Sequence, residues 1–205
     1  MFGLSLPTPI ELASRVLILL IALPVHELAH AFTAYRLGDI TSRDYGRLSL
    51  NPLDHLDPIG AILILLYGFG WAKPVPVNPY GLYRSRNGTI GFALVALAGP
   101  VSNLFLAALV AVPVRLNLIP GGLLLQLTVG FIFINIALAV FNLIPIPPLD
   151  GSRIAVAILP QQWGEYILRL EPYGIIIVIA LAFVGVIGLL MGPPMLFLER
   201  LILGF

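Results

Sequence analysis

The chain has 205 residues, of which 59% are hydrophobic and 10% charged, with a net charge of +1 and a mean hydropathy of +1.01. A soluble domain carries about 25% charged residues, so a water-soluble globule is excluded, and the near-neutral balance provides no field for nucleic acid. No cysteine is present, which removes disulfides and thiolate ligands and leaves His, Asp and Glu to bind any metal.

The first predicted element is the apolar run from Ile10 to Tyr35. No basic residue precedes it and no small-residue cleavage site follows before Pro24 and His26, so it reads as a retained transmembrane helix rather than a signal peptide. Within it stands His26-Glu27-Leu28-Ala29-His30. Two imidazoles four residues apart share one helix face and can grip one zinc ion. The glutamate beside the first can take a proton from water at the metal. Ionisable residues are costly in hydrocarbon and need a local reason to be there. A packed polar pair, haem ligation or a regulatory metal would use the histidines but leave the glutamate unexplained.

The linker 36–58 follows. Its stretch Asp44 to Pro52 alternates and carries Gly46, which predicts a short hairpin or an extended segment. The apolar run Ile59 to Ala72 is shorter than the ~20 residues a span requires and reads as re-entrant or interfacial. Trp71 to Pro79 contains Pro74, Pro76 and Pro79 and is predicted extended. Asn87-Gly88-Thr89 reads as a turn and helix start rather than a glycosylation site. Further spans are predicted at 90–114, 122–146 and 173–199. The expected fold is an all-α polytopic membrane protein of about four transmembrane helices, with a re-entrant or interfacial segment and a short β-hairpin or extended element. It forms a single domain over residues 1–205.

Four crossings put Arg36, Arg43, Arg47, Lys73, Arg84, Arg86, Arg153 and Arg169 on one side, and Arg15, Arg115 and Arg200 on the other. Cytoplasmic loops carry the basic excess, so the larger group is assigned to the cytoplasm. His30 then lies ~9 Å and His26 ~15 Å before Arg36 along the helix axis. The third span ends on the same side, just before Asp150.

A catalytic zinc takes three protein ligands and keeps a fourth position for water. Asp150 is the favoured third ligand. Pro145, Pro147 and Pro148 force irregular backbone ahead of it, tolerated at membrane depth only when buried in protein or lining a wet cavity. Gly151 lets the chain turn after it. The alternative for Asp150 is a helix cap or turn residue. His55 is the rival ligand, or else an interfacial histidine bonded to Asp54 or to backbone. Asn135 and Asn142 share a face of the third span. Such amides join helices, or, for Asn142 beside Asp150, donate to the oxyanion of a tetrahedral intermediate. Asn103 carries the same two readings, and Ala98-Gly99-Pro100 before it predicts close packing against the first helix.

Taken together, His26 to His30 and Asn142 to Gly151 resemble the paired signature of the site-2 protease family of intramembrane zinc metalloproteases. The Ala98-Gly99-Pro100 helix and the stretch Gly70 to Val77 resemble its compact prokaryotic members, and the likeness covers nearly the whole chain. The resemblance implies His26, His30 and Asp150 as ligands of one catalytic Zn2+, Glu27 as catalytic acid/base, and a role for Asn142 near the reacting carbonyl. These residues leave no room for the PDZ or CBS domain that many members carry. The implied activity is hydrolysis of peptide bonds in transmembrane segments of membrane-anchored proteins, releasing a cytoplasmic fragment. The implied setting is the lipid bilayer of a prokaryotic plasma membrane, with the site toward the cytoplasmic leaflet. The expected partner is a transmembrane protein substrate and not nucleic acid; oligomeric state is left open. The substrate helix must unwind before attack, and the extended pieces 40–52 or 73–79 are placed to pair with it by β-addition. The competing reading is a membrane metal transporter, or a metal-sensing protein that binds helices. Against it, the candidate ligands converge on one leaflet and no second set lies deeper.

Overall fold

A computed structural model describes residues 7–68 and 70–204. Residues 1–6 ahead of the first apolar run, Phe69 of the short run 59–72, and Phe205 lie outside the described residues. The first helical column starts with α1 (Pro9–Leu17). The Thr8 side chain accepts from Glu11 N while Glu11 accepts from Thr8 N, satisfying two free helix-end donors reciprocally. A π-turn over Ile18–Ala22 then leads into α2 (Leu23–Arg36). Pro24 explains the turn: it has no N–H, and its ring would crowd the carbonyl four residues back in an ordinary α-helix.

The linker departs from expectation. Among the described residues there is no strand, and the hairpin predicted at 44–52 is absent. Two helical turns, α3 (Thr41–Asp44) and α4 (Pro52–His55), flank that stretch, and residues 47–51 between them are neither helix nor strand. Asn51 caps α4 through Leu53 N at 3.2 Å and Pro52 occupies its first position, so the cap ends the stretch before a second strand can pair. The re-entrant segment is present. The short helix α5 (Pro58–Tyr67) runs out and the chain returns. Leu56 forms a bridge with Ala72, and Lys73 N donates to His55 O at 2.8 Å. Arg15 donates to Leu65 O and Leu66 O, both at 2.9 Å, and so satisfies the end of α5 at depth.

The next two helices, α6 (Gly88–Arg115) and α7 (Leu123–Asn142), pack as an antiparallel pair, with Ala107 and Ala111 against Ile132 and Ile136. Beyond α7 come α8 (Asp150–Ile158), α9 (Gln161–Arg169), α10 (Gly174–Phe183) and α11 (Val186–Leu203). The single span expected at 173–199 is therefore divided. Gly185, at φ +83°, turns the chain between α10 and α11. Among the described residues, five segments are long and apolar enough to cross a membrane, Gln161–Phe183 being one. The end of α11 nevertheless lies beside the far end of α6. Leu203 packs on the cluster of Ala107 and Ala111, and Arg115 donates to Leu201 O at 3.5 Å. From the end of α7 to the end of α11 the chain thus makes one net passage, and the partition of basic residues is unchanged.

The extended piece survives at 71–78. Ala72 packs against the cluster that contains Leu19, Ala22 and Leu23, and Val77 against the cluster that contains Ala34. Five extended steps at ~3.3 Å cover about the length of eleven helical steps at 1.5 Å, consistent with an extended piece that runs along α2. Side chains pin it. Arg47 donates to Lys73 O at 3.2 Å and Pro74 O at 2.9 Å, Ser42 to Pro76 O at 2.7 Å, and Asn78 N donates to Asp39 at 2.7 Å. Pro74 and Pro76 face this clamp with carbonyls only, which is all that donors such as Arg47 and Ser42 can use. Val75, between them, has no backbone hydrogen-bond partner among the described residues.

Candidate active site

His26, Glu27 and His30 are all buried on α2. The two rings meet edge to face, with centroids 4.6 Å apart at 83°. Their Nε2 atoms are 3.0 Å apart, and Asp150 Oδ2 stands 3.2 Å from His26 Nε2 and 3.3 Å from His30 Nε2. The three groups offer one ligand atom each, all within 4.8 Å of one another. Asp150 arrives as the first residue of α8, after a proline-rich corner anchored by Ile144 and Leu149 against Val178 and Ile187. Gly151 has a different role from the turn expected of it. It is helical, and a Cβ there would fall 2.2 Å from Leu143 O.

Hydrogen bonds fix the state of each imidazole. His26 Nδ1 donates to Asn103 Oδ1 at 2.6 Å. That amide cannot be reversed, because Asn103 Nδ2 donates to Asn135 Oδ1 at 3.0 Å and to Ala22 O at 3.4 Å, both acceptors from its side of the bond. Asn135 in turn donates to Phe131 O at 2.8 Å. His30 Nδ1 donates to Val95 O at 2.7 Å. In the neutral rings the protons are then on Nδ1, and both Nε2 lone pairs face the carboxylate. Asp150 Oδ2 has no hydrogen-bond donor, although it is buried. Three lone pairs converging this closely repel one another unless a cation stands among them, so the donor set fits a metal ion. Gly99 of α6 completes the wall: a Cβ there would lie 2.4 Å from His30 Nε2 and 2.5 Å from His26 Nε2.

The other predicted residues fall in different places. His55 is fully buried but is not part of the cluster; its Nε2 donates to Ser49 O at 2.8 Å. Asn142 is half-buried and donates to Leu138 O of its own helix at 3.0 Å. Asn103 and Asn135 both join helices, and Asn103 also orients a candidate ligand. Linear sequence carries no signal for that bond, since it links positions 77 residues apart.

The sequence profile of Peptidase family M50 matches residues 118–187, which include Asp150. The chain is also similar to the "Putative zinc metalloprotease YwhC" of Bacillus subtilis, at 41% identity over 88% of this chain and 84% of that protein. The chain belongs to peptidase family M50. This M50 member is similar to two further proteins of like description. Rip2 of Mycolicibacterium smegmatis is 32% identical over 79% of this chain and 63% of its own length. MJ0611 of Methanocaldococcus jannaschii is 38% identical over 53% of this chain and 52% of its own. The chain thus spans less than two thirds of these two relatives. No solved structure matches it significantly. The resemblance to site-2 proteases read from the two motifs is confirmed at the level of family. The apolar helices make the M50 member an integral membrane protein, and its family makes it a metalloprotease.

Proposed function

We propose that this metalloprotease hydrolyses peptide bonds within transmembrane segments of other membrane proteins and releases a fragment on the side of the site. One observation carries the reading: two imidazoles and a carboxylate converge, beside a buried glutamate, inside a bundle of membrane helices. His26, His30 and Asp150 hold the cofactor, which is zinc, as the names of the relatives and the three-ligand donor set support. Zinc bound there supplies Lewis acidity, to a water molecule and to the peptide carbonyl. Glu27 accepts the proton of the attacking water and delivers it to the departing amide nitrogen. Asn103 holds His26 in the ligating tautomer, and Asn142 turns its second amide hydrogen toward the reacting carbonyl. The basic residues favour a site in the cytoplasmic leaflet of a prokaryotic plasma membrane.

The test is cleavage of a membrane-spanning model segment by the purified protein in detergent. Cleavage that stops on chelation and returns with zinc is expected; cleavage indifferent to chelation would overturn the reading.

A helical substrate must expose its backbone before it can react. We assign its docking to the open edge at Val75, since the alternative stretch 40–52 is interrupted by α3. Val75→Pro removes the unpaired N–H at that position. It is expected to lower cleavage of a helical substrate about fivefold to tenfold, the worth of one hydrogen bond, and to leave zinc content unchanged. Equal rates for Val75→Pro and wild type would remove this edge from the mechanism.

A further inference from the structure

The last turn of α2 opens on a cleft of about 300 Å³ that plays no part in the chemistry above. Three arginines from three separate elements line it: Arg36 ends α2, Arg43 belongs to α3, and Arg84 stands in the loop before α6. Each guanidinium is placed over an aromatic ring, Arg36 over Phe32 at 6.0 Å, Arg43 over Tyr35 at 5.8 Å and Arg84 over Tyr83 at 5.6 Å. Such stacking limits the freedom of the side chains before any ligand arrives. The backbone supports them, with Arg84 N donating to Leu37 O at 3.0 Å. Opposing charge is scarce. Asp44 pairs with Arg43 at 3.0 Å, whereas Arg36 and Arg84 make no ion pair among the described residues.

Depth identifies the ligand. Arg36 closes a helical column that starts at Pro9 and is 28 residues long, about 42 Å, so its end stands at the level of the lipid headgroups. One turn deeper, Phe32 is exposed, and Ile40 is exposed at the rim of the cleft. A free anion would use the arginines and gain nothing from these apolar neighbours; a lipid uses both. We propose that this cleft holds the phosphate of an anionic phospholipid from the leaflet on the side of the active site, with the acyl chains lying along Phe32. Arg36 follows His30 by six residues on the same helix, so an occupied cleft braces the element that carries the metal ligands.

The experiment uses the full chain in phosphatidylcholine nanodiscs with and without phosphatidylglycerol, and measures retained phosphatidylglycerol by native mass spectrometry. Wild type is expected to retain it. The double variant Arg36→Gln/Arg84→Gln is expected to bind it at least about tenfold more weakly, and Arg84→Gln alone about fivefold more weakly. Arg169→Gln, an exposed arginine outside the cleft, should match wild type. Thermal unfolding in phosphatidylcholine alone identifies any variant that has not folded, in which case Arg84→Gln decides. Equal retention in the cleft variants would overturn the proposal. So would equal loss in Arg169→Gln, which would mean diffuse surface charge. Displacement by glycerol phosphate as readily as by the intact lipid would mean a site for soluble phosphates, and would overturn the lipid assignment.

Discussion

Glu27→Gln is expected to keep bound zinc at the wild-type level and to lower cleavage by about 10²–10⁴-fold, the usual worth of a positioned acid/base. The two side chains have nearly the same volume, so the buried position beside His26 is kept while the ability to take a proton is lost. Elemental analysis reads the zinc, and gel analysis of a membrane-spanning substrate reads the rate. The same variant separates protease from transporter. A transporter needs ligands but has no use for a base at this position. Metal flux in proteoliposomes that is unaffected by Glu27→Gln, with no cleavage by either protein, would sink the protease reading.

Asp150→Ala should purify with its zinc largely lost, whereas His55→Ala should retain it. Changing a group that merely orients a ligand costs 10–100-fold in metal affinity, so removing a ligand is expected to cost more than about 100-fold. Asp150 Oδ2 stands 3.2 Å and 3.3 Å from the two Nε2 atoms, while His55 is occupied with Ser49 O in the linker. Side-by-side metal analysis of the two variants in detergent checks this. Zinc that stays with Asp150→Ala and leaves with His55→Ala would reassign the site to three histidines.

Much of the site was legible because its chemistry is local. The spacing of His26 and His30 alone puts both rings on one helix face, and Glu27 needs no tertiary context to be recognised. Asp150 required one more step, counting crossings, because two distant segments had to end in the same leaflet. The bond from His26 to Asn103 was beyond reach, since it depends on the rotational register of α2 against α6. Hydropathy misread 173–199 because it averages over a window and does not sense the reversal at Gly185. The hairpin at 44–52 failed differently. Asn51-Pro52 carries the signal for α4, whose cap ends the stretch, while alternation alone cannot tell a paired strand from an unpaired one. The re-entrant segment was identified from length alone, a constraint set by the bilayer rather than by packing.

The π-turn at Ile18–Ala22 has its own consequence. A wider turn admits an extra residue, so the two halves of the first column are out of phase by about 100° relative to an uninterrupted α-helix. The lower half is oriented by Arg15 against α5 and by Ser14 against Gly130 of α7. The upper half is oriented by His26 and His30 against α6. One continuous rod could not satisfy both sets of partners. The five-residue interruption acts as a phase shifter, allowing the anchoring and the chemical ends of a single helix to be aimed independently.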